Sequence, residues 1–414
     1  MAKKEQVDVL VIGAGPSGSV SSAFLHRSGF KVKVVEKERF PRFVIGESLL
    51  PRCMDNFEAV GLLDVLKKQN YQIKVGARFV RDGKDCWFDF EDHYSKGWTW
   101  TWQVPRGHFD KVLIDEVASW GVDVAFETAV TAVDTSGERQ LTTVRHADGG
   151  ETLIESKFVI DASGYGRVLP RLLQLDQPSV MPPRSSIFSH FTDHRRPEGI
   201  LGERITLVIH RKDVWLWIIP FSNGITSVGF AGNPDYFAMY DNDDKSKQLL
   251  DMMNDVPFVR ERFHDQEMVV PGMMLKTYSA SVKSFFGPGY VLAGNSSEFI
   301  DPVFSSGVTF ATESGVLAAK LAKRQLNGEE VDWQTEYVMY MHQGIETFRA
   351  YINRWYEGDL QDIFFFSHDS ANSEIKRQIC SVLAGYVWDT SNPFVRDYGE
   401  RALGSLSKLV KIYE

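Results

Sequence analysis

Cysteine is scarce in this 414-residue chain: Cys53, Cys86 and Cys380 stand far apart. Neither a disulfide framework nor a paired-thiol metal site is therefore expected, and a reducing cytoplasm fits. No run approaches the roughly 18 to 20 uninterrupted apolar residues of a membrane-spanning helix. The basic start, Met1 to Lys4, leads directly into strand-like Val7 to Ile12, which is too short for a signal-peptide core. Basic residues are outnumbered, 46 Lys and Arg against 55 Asp and Glu for a net charge of −9, which argues against a nucleic-acid surface. The ten histidines are scattered, and only His190 and His194 are four apart, across a strand-to-loop stretch, so no metal site is expected. Internal repeats, low-complexity tracts and a nucleophilic triad are also missing. What is present is 43% hydrophobic content, enough for a large core.

The chain begins with a compact βαβ pattern: a buried strand at Val7 to Ile12, a helix from Pro16 to Ser28 closed by Gly29, and a strand from Lys31 to Val35. A short helix at Pro51 to Val60 follows, then β segments around Ala77 to Val80 and Cys86 to Phe90 joined by an Asp82-Gly83 turn. A further β segment, Trp98 to Val104, leads into a helix from Phe109 to Trp120. From Ser185 to Phe230 four strand patterns run without intervening helices and predict a second, antiparallel sheet. A strand at Tyr290 to Ala293 and a helix through Thr309 to Lys323 return to the first pattern, and residues beyond about 326 read as helical. The expected organisation is a discontinuous nucleotide-binding domain over 1–325, interrupted by β material at about 75–104 and 180–285, and a helical region over 326–414.

Gly13-Ala14-Gly15-Pro16-Ser17-Gly18 follows the first strand and opens the first helix. Gly13 makes the tight turn, Gly15 lets backbone amides approach a pyrophosphate at the helix N-terminus, and Gly18 lets helix and strand pack closely. Glu36, at the end of the next strand, is placed to accept both hydroxyls of a ribose. Phe158 to Gly164 is a strand ending in Asp161 and small residues, a segment that lets backbone pass beside a cofactor. Gly289 to Pro302 repeats that logic before a helix near Ser305 to Gly307, whose free amides and positive dipole end suit an anion or a flavin carbonyl edge. Flavin is thus preferred over nicotinamide.

These residues, with Phe40-Pro41-Arg42, Ile45 to Pro51, Lys74 to Phe79, Gln103 to Arg106 with Phe109-Asp110, Trp215-Leu216-Trp217-Ile218-Ile219-Pro220 and Phe299 to Gly307, resemble the flavin-dependent halogenases. That family is related to the aromatic hydroxylases and geranylgeranyl reductases, and the similarity runs from residue 7 to about 366. The resemblance implies an α/β fold: a Rossmann-like FAD-binding domain of the p-hydroxybenzoate hydroxylase kind, an inserted antiparallel substrate lobe and a helical C-terminal region. It implies FAD bound by Gly13, Gly15, Ser17, Gly18, Glu36, Arg42, Ser48, Arg106, Asp161, Asn295 and Pro302. It further implies that Trp215 and Trp217 shield the flavin, that amides of Ser306 and Gly307 hold a halide, and that Lys74 carries the oxidised halogen to an electron-rich ring. Alone, Lys74 would read as an ordinary solvated lysine, whereas a desolvated Lys74 would have a lowered pKa. The implied partners are a small aromatic substrate, halide, a separate flavin reductase and, for a tethered substrate, an acyl carrier protein.

Two stretches depart from the family pattern, at three positions. Asn295 stands where an acid is expected on the flavin's ribityl chain, with Glu298 replacing a glycine nearby, and Phe304 stands where tryptophan-type halogenases place a glutamate. The second departure points to the phenol or pyrrole branch. Two other readings stay open: an FAD-dependent aromatic monooxygenase or geranylgeranyl-reductase-like enzyme, and a non-catalytic flavin-binding protein.

Overall fold

The computed structural model describes residues 3–368, 373–395 and 397–413. Its first sheet is built on Lys3–Ile12, which lies parallel to Val32–Val35 on one side and Glu151–Asp161 on the other. Asp123–Ala125 and Tyr290–Leu292 extend it outward, also in parallel. Val9, Leu10, Val11 and Ile12 are all buried, as expected of a strand covered on both faces rather than one. The strand begins four residues before Val7, because Lys3 to Gln6 pair with Thr152 to Glu155 at the exposed edge. Helix Pro16–Arg27 packs on helix Ser306–Leu326 through small residues, and Ser21 Oγ donates to Gly315 O at 3.0 Å. A Cβ at Gly315 would lie 2.7 Å from Ser17 O, so this close approach requires glycine.

A second sheet has seven strands in the order Met273–Lys276, Ser185–Thr192, Ile225–Gly232, Val214–Pro220, Ile205–Arg211, Gly76–Arg81, Lys84–Asp89. It is antiparallel except where Ile205–Arg211 meets Gly76–Arg81 in parallel. Those two strands come from separate excursions of the chain, so no hairpin fixes their relative direction. Leu216 and Ile218 face one way, into a cluster with Leu249, Met252 and Val259 from helices Lys245–Asn254 and Pro257–Phe263. Trp215 and Trp217 face the other way, into the main core. The sequence reading did not anticipate these two covering helices. It also placed Trp98 to Val104 in one strand, whereas only Thr101–Gln103 pairs, and with Gln72–Lys74 in a separate two-stranded ribbon.

The C-terminal region is helical, with Tyr340–Glu357, Asp359–His368, Glu374–Leu383 and Asp397–Tyr413. Phe348, Tyr351 and Trp355 are fully buried, and Phe304 packs against all three. Phe364 joins this cluster to Phe79 and Phe88 of the second sheet. Among the described residues no helix is long and apolar enough to cross a membrane.

Candidate active site

At the first turn Gly13 has φ of 100°, and a Cβ there would lie 2.5 Å from Ala162 O. A Cβ at Gly18 would fall 1.9 Å from Gly13 O. Gly15 is different: the only atom a Cβ would meet is Arg42 Nη2, at 3.5 Å. Crowding therefore explains Gly13 and Gly18, while Gly15 opens the helix N-terminus, which carries no side-chain cap, to an anion beside a guanidinium. The buried Glu36 accepts from Ala14 N and Glu38 N, each at 3.0 Å, which fixes both oxygens beside this turn with further lone pairs to spare. Ser17 Oγ is buried without a hydrogen-bond partner among the described residues. An open cradle, an acidic ribose acceptor and nearby positive charge together fit a dinucleotide such as FAD.

Two arginines converge on one carboxylate that sequence reasoning did not single out as functional. Arg106 grips Asp110 with Nε at 2.8 Å and Nη2 at 3.0 Å, and Arg42 Nη1 reaches the same group at 3.2 Å while stacking on Phe40. Arg106 Nη1 also donates to Ile45 O and Gly46 O at 3.3 and 3.2 Å. Most of its donors are thus spent on Asp110 and on the 45–50 segment, so Arg106 holds that segment in place. Asp161 oxygens accept from Ser163 N at 2.9 Å and Leu169 N at 2.7 Å, so it caps the chain beyond the strand. Asn295 gives its main-chain oxygen to Arg167 at 3.2 Å, while its side chain makes no hydrogen bond among the described residues. Glu298 turns to Arg349 on helix Tyr340–Glu357 in a buried ion pair. Pro302 O accepts from Ser305 N at 2.9 Å, closing the turn before the long helix.

Lys74 is 2% exposed. Strand alternation does this: Ile73 faces out and Lys74 faces in, opposite Thr101. Its Nζ donates to Ser48 Oγ and to Leu49 O, each at 2.8 Å, and lies 5.3 Å from the centre of the Phe90 ring. No carboxylate pairs with it among the described residues, and burial pulls its pKa down to about 7. A neutral amine has two N–H groups, which the two acceptors match, so its lone pair is left free. Ser48, expected among the cofactor ligands, accepts from Lys74 through its hydroxyl oxygen and keeps its own O–H as a donor. The preceding residue, Glu47, is buried and meets His190 Nε2 at 2.6 Å, leaving Glu47 Oε2 unpartnered. The sequence reading missed this pair, because its members lie 143 positions apart.

Ser305 sits at φ 58°, an unusual left-handed conformation for serine, and starts helix Ser306–Leu326 with no side-chain cap. The first-turn amides, including those of Ser306 and Gly307, have no partner within the helix. Trp215 and Trp217 stand on one face of their strand with ring centres 5.9 Å apart. Trp217 Nε1 donates to Ser227 Oγ at 3.0 Å, and Trp215 Nε1 donates to Tyr356 Oη at 3.0 Å. Tyr356 in turn donates to Asp301 at 3.2 Å, which wires the tryptophan wall to the Asp301–Ser306 turn. Asp301 lay inside a quoted motif, yet only the fold reveals this role.

The FAD binding domain family model matches residues 6–226. Over 394 residues, 94% of each chain, the protein is 26% identical to the 1H-pyrrole-2-carbonyl-[peptidyl-carrier protein] brominase of Pseudoalteromonas luteoviolacea. It is 27% identical over 378 residues to the corresponding chlorinase of Pseudomonas fluorescens, covering 84% of this chain and 83% of that one. Among solved structures, a flavoprotein/dehydrogenase from Cytophaga hutchinsonii shares 49% identity with a TM-score of 0.95, covering 99% of both chains. With the Gly15 cradle and Glu36 already in place, these likenesses show that the chain belongs to the FAD-binding domain family and is an FAD-dependent enzyme of the oxidoreductase type.

Proposed function

We propose that the protein halogenates an electron-rich aromatic ring of the phenol or pyrrole type, free or tethered to a carrier protein, with reduced FAD delivered by a separate reductase in the cytoplasm. The observation that carries this reading is Lys74: a buried amine with no counter-ion among the described residues, held by two uncharged acceptors. The carrier-linked pyrroles named for the two relatives above support the substrate class.

Bound FAD supplies, when reduced and in the presence of oxygen, the oxidising power for the halide. The chain's own residues do the rest. Amides of Ser306 and Gly307 hold the halide by charge-assisted hydrogen bonds. Trp215 and Trp217, buried and hydrogen-bonded, keep the ring away from the cofactor. Neutral Lys74 accepts a hydrogen bond from the hypohalous acid, or takes its halogen by forming an N–X bond as the O–X and N–H bonds break and water leaves, and so presents that halogen to the ring. An activated ring needs no carboxylate beside it, which fits Phe304 packed among aromatics at the position of the missing glutamate.

The test incubates purified protein with FAD, a flavin reductase, NADH, oxygen and bromide over phenols and pyrroles, free and carrier-loaded. Halogenated product is expected, with loss of product but not of FAD binding in Lys74→Ala. Hydroxylated product, with NADH consumed by the protein alone, would overturn the reading in favour of a monooxygenase.

A further inference from the structure

Half of the buried acids among the described residues have an arginine, while Glu36 and Asp161 rest on backbone amides and Glu47 on His190. Asp110 has Arg106 and Arg42, Asp193 has Arg262 and Arg196, Glu313 has Arg52, and Glu298 has Arg349. Asp301 is 1% exposed, and no ion pair to it occurs among the described residues. Its Oδ1 accepts from Val303 N at 2.9 Å, within its own turn. Its Oδ2 accepts from Tyr356 Oη at 3.2 Å, on helix Tyr340–Glu357, and from Tyr278 Oη at 3.3 Å, on the segment before Ser281. Arg184, entering the second sheet, bears on it from further off: its guanidinium lies over the Tyr356 ring, 4.1 Å from the centre, rather than against the carboxylate. Tyr165, after strand Glu151–Asp161, is the other titratable group that senses it. A carboxylate so placed is held by neutral donors alone, in a low-dielectric setting where a second negative charge is strongly repelled.

The same turn leads in five residues to Ser306, with Ser305 N bonded back to Pro302 O at 2.9 Å. We infer that Asp301 couples halide binding to proton uptake: the turn holds its halide while the Asp301 carboxyl is protonated, and ionisation of that carboxyl releases it. This rests on the assignment of the halide to the Ser306 and Gly307 amides. Burial supports it by raising the carboxyl to about 6, within reach of a cell's pH. Asp301 is thereby a positioning residue, which acts on the halide through charge without touching it.

Bromide titrations of the FAD-loaded protein from pH 5 to pH 8, followed by flavin fluorescence, read binding rather than turnover. The dissociation constant should be level below the midpoint and rise by about tenfold per pH unit above it. Asp301→Asn, which cannot ionise, should bind bromide equally across the range. Tyr278→Phe removes a donor to the ionised form, so its midpoint should move up in pH. A wild-type constant independent of pH, or an Asp301→Asn slope equal to wild type, would overturn the inference while leaving halide binding intact. Should Asp301→Asn not fold, an unmoved midpoint in Tyr278→Phe overturns it instead. Absence of bromide binding at every pH overturns the halide assignment as well.

Discussion

Lys33 and Lys74 are both buried lysines on strands, yet their surroundings push them in opposite directions. At Lys33, in the FAD-binding sheet, burial pulls the pKa down, but its hydrogen bonds to Asp123 at 2.6 Å and Glu5 at 2.9 Å outweigh it and leave the ammonium favoured. At Lys74, in the small ribbon beside the 45–50 segment, burial acts against two uncharged acceptors and a Phe90 ring, and the pKa falls to about 7. Burial alone therefore does not lower a lysine's pKa. Burial without a counter-charge does, and the same contrast separates Asp110 and its two arginines from Asp301 and its two tyrosines.

The comparison can be broken most drastically by giving Lys74 the partner it lacks. Ser48→Asp should convert Lys74 into a second Lys33, restore its ammonium at pH 7 and lower halogenated product by about a hundredfold, measured in the reductase-coupled assay. Removing a counter-ion from the scaffold is the reverse experiment. Asp110→Ala strands Arg106 and Arg42 and should cost about 3 to 5 kcal/mol in denaturant unfolding. A more gradual effect follows from the depressed Lys74 pKa. Between pH 7 and pH 10 the unfolded chain holds a proton on this lysine that the folded chain has released, so wild-type stability rises with pH. Relative to Lys74→Met, that rise should reach about 1.4 kcal/mol per pH unit and stop below pH 7. Lys33→Met should lose only about 1 kcal/mol, equally at pH 6 and pH 9, because both ends of that range lie below its raised pKa.

The cofactor cradle was legible in the sequence because its constraints are local. Gly13 and Gly18 are required by contacts with Ala162 O and Gly13 O, and the strand and helix around them carry strong patterns. Lys74 was legible only through the family motif. A three-residue strand shows too little alternation to say which way its lysine points, and its partner strand lies 27 residues on. The repeated tryptophans Trp98, Trp100 and Trp102 imitated a long strand, but they stack edge to face, with ring centres 5.6 and 5.2 Å apart, and only Thr101 to Gln103 pair. The helix Lys245–Asn254 did carry a signal, Asp244 capping the amides of Ser246 and Lys247, which the strand-dominated reading of that region passed over. Asp301 was hidden for a plainer reason: its meaning depends on Tyr356, 55 residues away, and through it on Trp215, another 141.

The most direct test is a lysine-selective NMR titration of the protein labelled at lysine side-chain carbons, with Lys74→Met to identify the signal. A Lys74 resonance that titrates near pH 7, while that of Lys33 remains protonated beyond pH 10, is the predicted result. A Lys74 resonance that keeps its proton above pH 9.5 would contradict the account, because the amine would then be an ordinary cation at the pH where the ring is to be halogenated.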